Sequence, residues 1–116
     1  MSERSKIVVI TGASTGILGS SDSETVTHRA GTITGGTAID FSGGDDSLRI
    51  EGGSIVGDVD GGSHATKDTL TFAGNFTYAD NFKNFEEGTV SSGTVLLNGS
   101  GNTIDALDVN GGVLGG

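Results

Sequence analysis

The sequence predicts an all-β protein: a single-stranded, right-handed parallel β-helix, or solenoid, of about five coils. Three observations carry that expectation. Of 116 residues 22 are Gly, with no Pro, Cys or Trp, one Tyr and five Phe, so the chain turns often and tightly. Segments recur: GTITG at Gly31–Gly35 returns as GSIVG at Gly53–Gly57, and DSLRI at Asp46–Ile50 returns as DTLTF at Asp68–Phe72, both at an offset of 22. Apolar residues alternate with polar ones at period two, with Gly-Gly, Gly-Asp and Asn-Gly turns between the runs, and no window carries a helical stripe. A repeat this short cannot bury its own apolar side chains, but stacked copies build a continuous core. Rungs about 4.8 Å apart would give a column roughly 20–25 Å tall. A β-sandwich also uses short alternating strands, but it needs no fixed repeat and usually carries more aromatics.

Residues 1–7 are expected to form a polar tail and residues 8–116 the repeat domain. VVITGASTGILGS (Val8–Ser20) opens that domain, and its Ile10–Gly12 precedes the ITG of Ile33–Gly35 by 23. This opening resembles the start of short-chain dehydrogenases, whose glycine turn meets a pyrophosphate at a helix N-terminus. It departs from them at Leu18, where a glycine is needed, and in the polar SSDSETVT that follows; the only tyrosine, Tyr78, has Phe82 four residues on where a lysine is required. Five pairs then hold the offset of 22: Gly31/Gly53, Ile33/Ile55, Asp46/Asp68, Leu48/Leu70 and Ile50/Phe72. Within Ser47–Glu51, Leu48 and Ile50 are expected inward, with Ser47, Arg49 and Glu51 facing solvent. NFTYADNFKNFEEGTV (Asn75–Val90) carries most of the aromatics and reads as a divergent coil, after which Gly93 and Gly112 mark a shorter offset of 19.

Fifteen acidic against six basic residues give a net charge of −9, with the basic residues scattered. Such a surface repels phosphate, so no nucleic-acid partner is expected, nor adhesion to an anionic membrane. No run has the length of a membrane span, so direct insertion is not expected, and MSERSK lacks the apolar core of a signal peptide. The lack of cysteine excludes a disulfide scaffold and thiolate metal sites.

From VTHRAGTITGGTAIDFSGGDDSLRIEGGSIVGDVDGG through DTLTFAGNF, NFEEGTVSSGTVLLNG and LDVNGGVLGG, the chain resembles the passenger domains of bacterial autotransporters. The resemblance implies a right-handed parallel β-helix displayed on, or released from, a Gram-negative outer membrane, with the signal peptide and translocating β-barrel outside this sequence. SHATKD (Ser63–Asp68) and Arg29 depart from the expected small polar turns.

Each candidate site has a structural alternative. GGDDSLRI (Gly43–Ile50) approaches the calcium nonapeptide of RTX proteins, but Asp46 displaces its middle glycine and Lys67 stands beside Asp68; structural turns with solvated acids are expected. Asp40, Asp45, Asp58 and Asp60, with Arg49, are the candidates for the carboxylate cluster of a polysaccharide-acting enzyme, against the plainer reading of surface acids. His28 and His64 lie in polar, loop-like surroundings and read as surface histidines. Phe72, Phe76, Phe82 and Phe85 are expected in the core rather than around a ligand groove. No catalytic residue, cofactor or metal is therefore expected. The expected function is structural or adhesive, with a host-cell partner or end-to-end self-association through open strand edges.

Overall fold

In the computed structural model, which describes residues 5–12, 14–19, 22–63 and 67–115 (backbone alone for 5–8), thirteen strands follow one another. They are β1 (Ser5–Ile10), β2 (Ser14–Leu18), β3 (Ser23–His28), β4 (Thr32–Asp40), β5 (Ser47–Ile50), β6 (Ser54–Asp60) and β7 (Thr69–Ala73). β8 (Phe76–Tyr78), β9 (Phe82–Lys83), β10 (Phe85–Ser92), β11 (Thr94–Leu97), β12 (Ile104–Val109) and β13 (Val113–Gly115) complete the order. No helix occurs among the described residues; where a dinucleotide-binding turn needs a helix, β3 follows.

Every strand pairing is parallel, which rules out the sandwich and makes the chain a β-solenoid of about five turns. One face is a six-stranded sheet in the order β1-β3-β5-β7-β10-β12. The others comprise a four-stranded sheet, β2-β4-β6-β9, and a three-stranded sheet, β13-β11-β8. β1 begins at Ser5, within the segment expected as a tail.

The offset of 22 is the register of the central coils: Ile33 lies opposite Ile55, Leu48 opposite Leu70 and Ile50 opposite Phe72. At the C-terminal end the Gly93/Gly112 correspondence also holds, with the Val113 N–H donating to the Gly93 carbonyl at 2.9 Å. The equation of Ile10 with Ile33 is corrected. Ile10 pairs with His28, and Ile33 pairs with Ser14. The first coil is shorter than the repeat suggests, and β4 takes up extra residues at Gly35–Gly36. Thr34 faces Val56 before that bulge, and Ile39 faces Val59 after it.

Alternation decides what is buried. In β5 Leu48 and Ile50 are buried while Arg49 is exposed, as expected. Val26, Leu48 and Leu70 form one internal column, and Ile50, Phe72 and Val90 the next. Each such side chain contributes about 1.5–3 kcal/mol by leaving water. Arg29 has a structural reason as well: its Nε lies 3.1 Å from Glu51 Oε1 one rung away, and Arg49 binds the other oxygen of Glu51 at 2.8 Å. Both pairs are solvent-exposed and contribute little to stability.

The aromatic-rich coil fills the interior, and the four phenylalanines named from the sequence are all buried. Phe82 packs 4.4 Å from Tyr78, 5.7 Å from Phe72 and 5.9 Å from Phe85, ring centre to ring centre. The Tyr78 hydroxyl donates to the Gly57 carbonyl at 2.6 Å, and Asn81 O lies 3.0 Å from the same oxygen. Burial pushes that phenol well above its ordinary range, with the charges of Asp58 and Asp80 adding to the shift, so it stays a donor. Tyr78→Phe keeps the ring and strands a buried carbonyl. A loss of about 1–3 kcal/mol is expected in urea unfolding, since an unpaired buried polar group costs that much; an unchanged midpoint would show that the hydroxyl holds nothing.

Candidate functional site

The acids of the sequence separate into two groups with opposite surroundings. One lies outside. Asp40 and Asp60 are in register on β4 and β6 and close the turns after those strands, Asp40 Oδ1 accepting the Ser42 N–H and Asp60 Oδ1 the Gly62 N–H. Asp58 holds Lys83 Nζ at 3.0 Å, and that hydrogen bond, then the Asn81 N–H, draws its carboxyl below the usual carboxylate range. Asp45 stands apart at the turn before β5, accepting the Lys67 N–H, and Arg49 is engaged by Glu51 on the six-stranded face. The structure thus brings Asp40, Asp58 and Asp60 to one flank and leaves Asp45 and Arg49 away from it. Among the described residues no group of three or more acids and histidines is arranged to hold a metal ion.

The second group is interior. Glu24, Asp46, Asp68 and Glu86 occupy successive rungs of the six-stranded face, just before the apolar column of Val26, Leu48 and Leu70. They form a relay of identical contacts. The Glu24 N–H donates to Asp46 Oδ1 at 2.7 Å, the Asp46 N–H to Asp68 Oδ1 at 2.7 Å, and the Asp68 N–H to Glu86 Oε1 at 2.6 Å. Glu24, Asp46 and Asp68 are buried. The expectation of solvated acids at Asp46 and Asp68 is therefore corrected: the stacking of coils puts the next rung over each carboxyl and removes it from water.

Removal from water has an electrostatic consequence. Burial pushes the Asp46 carboxyl up from its ordinary value of 3.8 to about 7, the Glu24 N–H partly offsetting this and the Glu24 and Asp68 carboxyls adding to it. With like-charged carboxyls on the neighbouring rungs, Asp46 is the acid of this row that retains its proton toward neutral pH.

His28 is also corrected. It sits on β3, fully buried, in the column of Ile10 and Ile50, and its Nε2 donates to the Ser54 carbonyl at 3.0 Å. The strand pattern SETVTH continues inward-outward alternation through residue 28, which a loop reading of THRAG overlooks. His64 lies outside the described residues. Glu24 and Glu86 are the functional candidates that sequence reasoning missed. Glu24 stands at the same offset of 22 from Asp46 and was open to detection, whereas Glu86 follows Asp68 by 18.

Fold and site together define a parallel β-solenoid with carboxyls stacked through the interior of one face. No protein-family model matches the chain, and neither does any curated protein or solved structure.

Proposed function

We propose that the chain is a non-catalytic structural segment of a secreted or cell-surface protein of the autotransporter-passenger kind, supplying rigid length and displayed loops. The unbroken stack of parallel rungs supports this reading. Side chains fill the interior from Val26 to Val95, and hydrogen bonds run along the axis as well as around each coil. Such a body transmits length without a hinge, and its outer residues are free to vary because the inward positions alone specify the coil. The turn acids Asp40 and Asp60 serve the same end by shaping corners and keeping the flank charged and soluble.

The test has two arms on the same sample. Far-UV circular dichroism and a thermal melt, with and without chelator, are expected to give one unchanged β spectrum and one unchanged cooperative transition. Incubation with acidic polysaccharide in calcium is expected to yield no shortened product. A β signal lost in chelator would replace the reading with a calcium-folded module, and product formation would replace it with an enzyme.

A further inference from the structure

We infer that the fold selects Asn98 as a self-modifying residue: the backbone nitrogen of Gly99 displaces ammonia from its side-chain amide, and hydrolysis then leaves aspartate or isoaspartate at the corner after β11. The inference needs the fold and not the surface role.

The chain has three steps at which a side-chain carbonyl carbon stands one residue before a glycine nitrogen: Asn98–Gly99, Asn110–Gly111 and Asp60–Gly61. Glycine leaves that nitrogen unhindered. Axial stacking imposes the glycine at both asparagine steps, because a Cβ at residue 99 would fall on the Asp80 carbonyl and one at residue 111 on the Ser91 carbonyl. The coil geometry thus places a heat-sensitive residue type beside the neighbour that exposes it most.

Hydrogen bonding separates the three steps. The Gly111 N–H donates to the Val90 carbonyl at 3.3 Å, and the Gly61 N–H to the Lys83 carbonyl at 2.8 Å. Either nitrogen must leave its acceptor before it can attack. The Asp60 carboxyl is held as well, its Oδ1 accepting the Gly62 N–H and Asn84 Nδ2. Among the described residues the Gly99 N–H has no such acceptor. Asn98 is exposed, and residues 98–103 belong to no strand. This corner is pinned on either side, by the Asn98 N–H on the Tyr78 carbonyl at 2.8 Å and the Gly101 N–H on Asn81 Oδ1 at 2.8 Å. The peptide joining Asn98 to Gly99 lies between those pins. Its neighbour, the Gly99 carbonyl, accepts Asn102 Nδ2 at 3.2 Å, a contact that rotation of the Asn98–Gly99 peptide does not have to break.

The chemistry is self-contained apart from water. Solvent base takes the Gly99 N–H proton, the nitrogen bonds to Asn98 Cγ, and the Cγ–Nδ2 bond breaks with ammonia leaving. Water then adds to either carbonyl of the resulting cyclic imide and opens it. Amide and water have become acid and ammonia, and nothing is oxidised or reduced. Because ring closure is intramolecular, its rate follows how readily the nitrogen reaches Cγ. Opening at the main-chain carbonyl routes the backbone through the former side chain, adding a methylene between the two pins. Opening at either carbonyl leaves a new carboxylate one residue from the rung of Asp80.

Incubation of the chain at mildly alkaline pH, once folded and once in unfolding urea, followed by proteolysis and mass spectrometry, tests it. In the folded chain the mass gain of amide-to-acid exchange is expected at Asn98, divided between two chromatographically separate products. The rate at Asn98 is expected to exceed that at Asn110 by about fivefold or more, the factor to which breaking one backbone hydrogen bond corresponds. In urea the two sites are expected to react at similar rates, since both lose the coil. A folded chain in which Asn98 stays intact while it reacts in urea overturns the inference, as does a ratio of Asn98 to Asn110 rates no higher in the folded chain than in urea.

Discussion

Asp46→Asn is expected to stabilise the protein above neutral pH and to flatten its stability profile, while Asp46→Ala destabilises it at every pH. The sign follows from proton linkage. In the folded chain the Asp46 carboxyl titrates near 7, and unfolded it returns to its ordinary value of 3.8. Between those values the folded state binds the extra proton, so stability is fully present below about pH 4 and falls as pH rises toward 7, levelling off above. A tenfold change in proton affinity corresponds to about 1.4 kcal/mol, so the decline is on the order of 2–4 kcal/mol, part of the proton being shared with the neighbouring acids of the column. Glu51, lowered chiefly by the hydrogen bond from Arg49, and Asp58, lowered by Lys83, act in the opposite sense: their contribution is present above their unfolded values and is lost as pH falls through the folded ones. Stability should therefore peak in mildly acidic solution. Asparagine keeps an oxygen for the Glu24 N–H and carries no charge to desolvate, whereas alanine leaves that buried N–H without its acceptor. Urea midpoints near pH 5 and near pH 8 decide the matter. A wild-type chain equally stable at both, or an asparagine variant weaker than wild type at the higher value, would show the column to be ionised and well solvated.

What the sequence disclosed rests on local alternation and equal coil length, and what it hid rests on where either of these gives way to the neighbouring rungs. Leu48 and Ile50 could be placed inward because alternation is local, and the pairing of Leu48 with Leu70 because equal coil length preserves the offset. The Ile10–Ile33 equation failed where coil length changes. A bulge at Gly35–Gly36 alters register within a single strand, and a sequence offset averages over such a shift. The fate of Asp46 and Asp68 was hidden for a different reason. Gly-Gly-Asp-Asp has the composition of an exposed turn, and each acid does stand at a corner, immediately before a strand. Whether it meets water depends on the rung above and the rung below, which are 22 or 18 residues distant and supply the covering backbone. In a solenoid the environment of a residue is set mainly by its neighbours along the axis. Local composition therefore misjudges the corner positions most, and His28 at the end of β3 is the second case of the same error.

Those axial contacts predict that Gly57→Ala abolishes cooperative folding, or costs more than about 3 kcal/mol, while Gly36→Ala in the strand alongside is nearly neutral. Gly57 lies buried in β6 at φ +118°, a conformation that side-chain-bearing residues rarely adopt. Its peptide is clamped from both sides. The N–H donates to Asp80 Oδ2 at 2.8 Å, and the carbonyl accepts the Tyr78 hydroxyl. A Cβ at residue 57 would fall onto the Gly35 carbonyl oxygen at the bulge of β4, with Ala38 N 3.2 Å away. Relief requires either a turn of the Gly57 backbone, which breaks the clamp, or a widening of the spacing between β4 and β6, which loosens Ile33 from Ile55 and Ile39 from Val59. Backbone strain of this kind costs on the order of 1–3 kcal/mol, and the steric overlap adds a further 1–3 kcal/mol. Against a typical stability of about 5–15 kcal/mol that is a large fraction. Gly36 has open space at the equivalent position and no positive φ, so its alanine is expected within about 0.5 kcal/mol of wild type, or slightly more stable through the unfolded chain's lost freedom. Urea unfolding of the two variants side by side checks it. Equal midpoints would mean that β4 and β6 slide past one another freely at the bulge, and that the axial stacking is looser than the Tyr78–Gly57–Asp80 clamp requires.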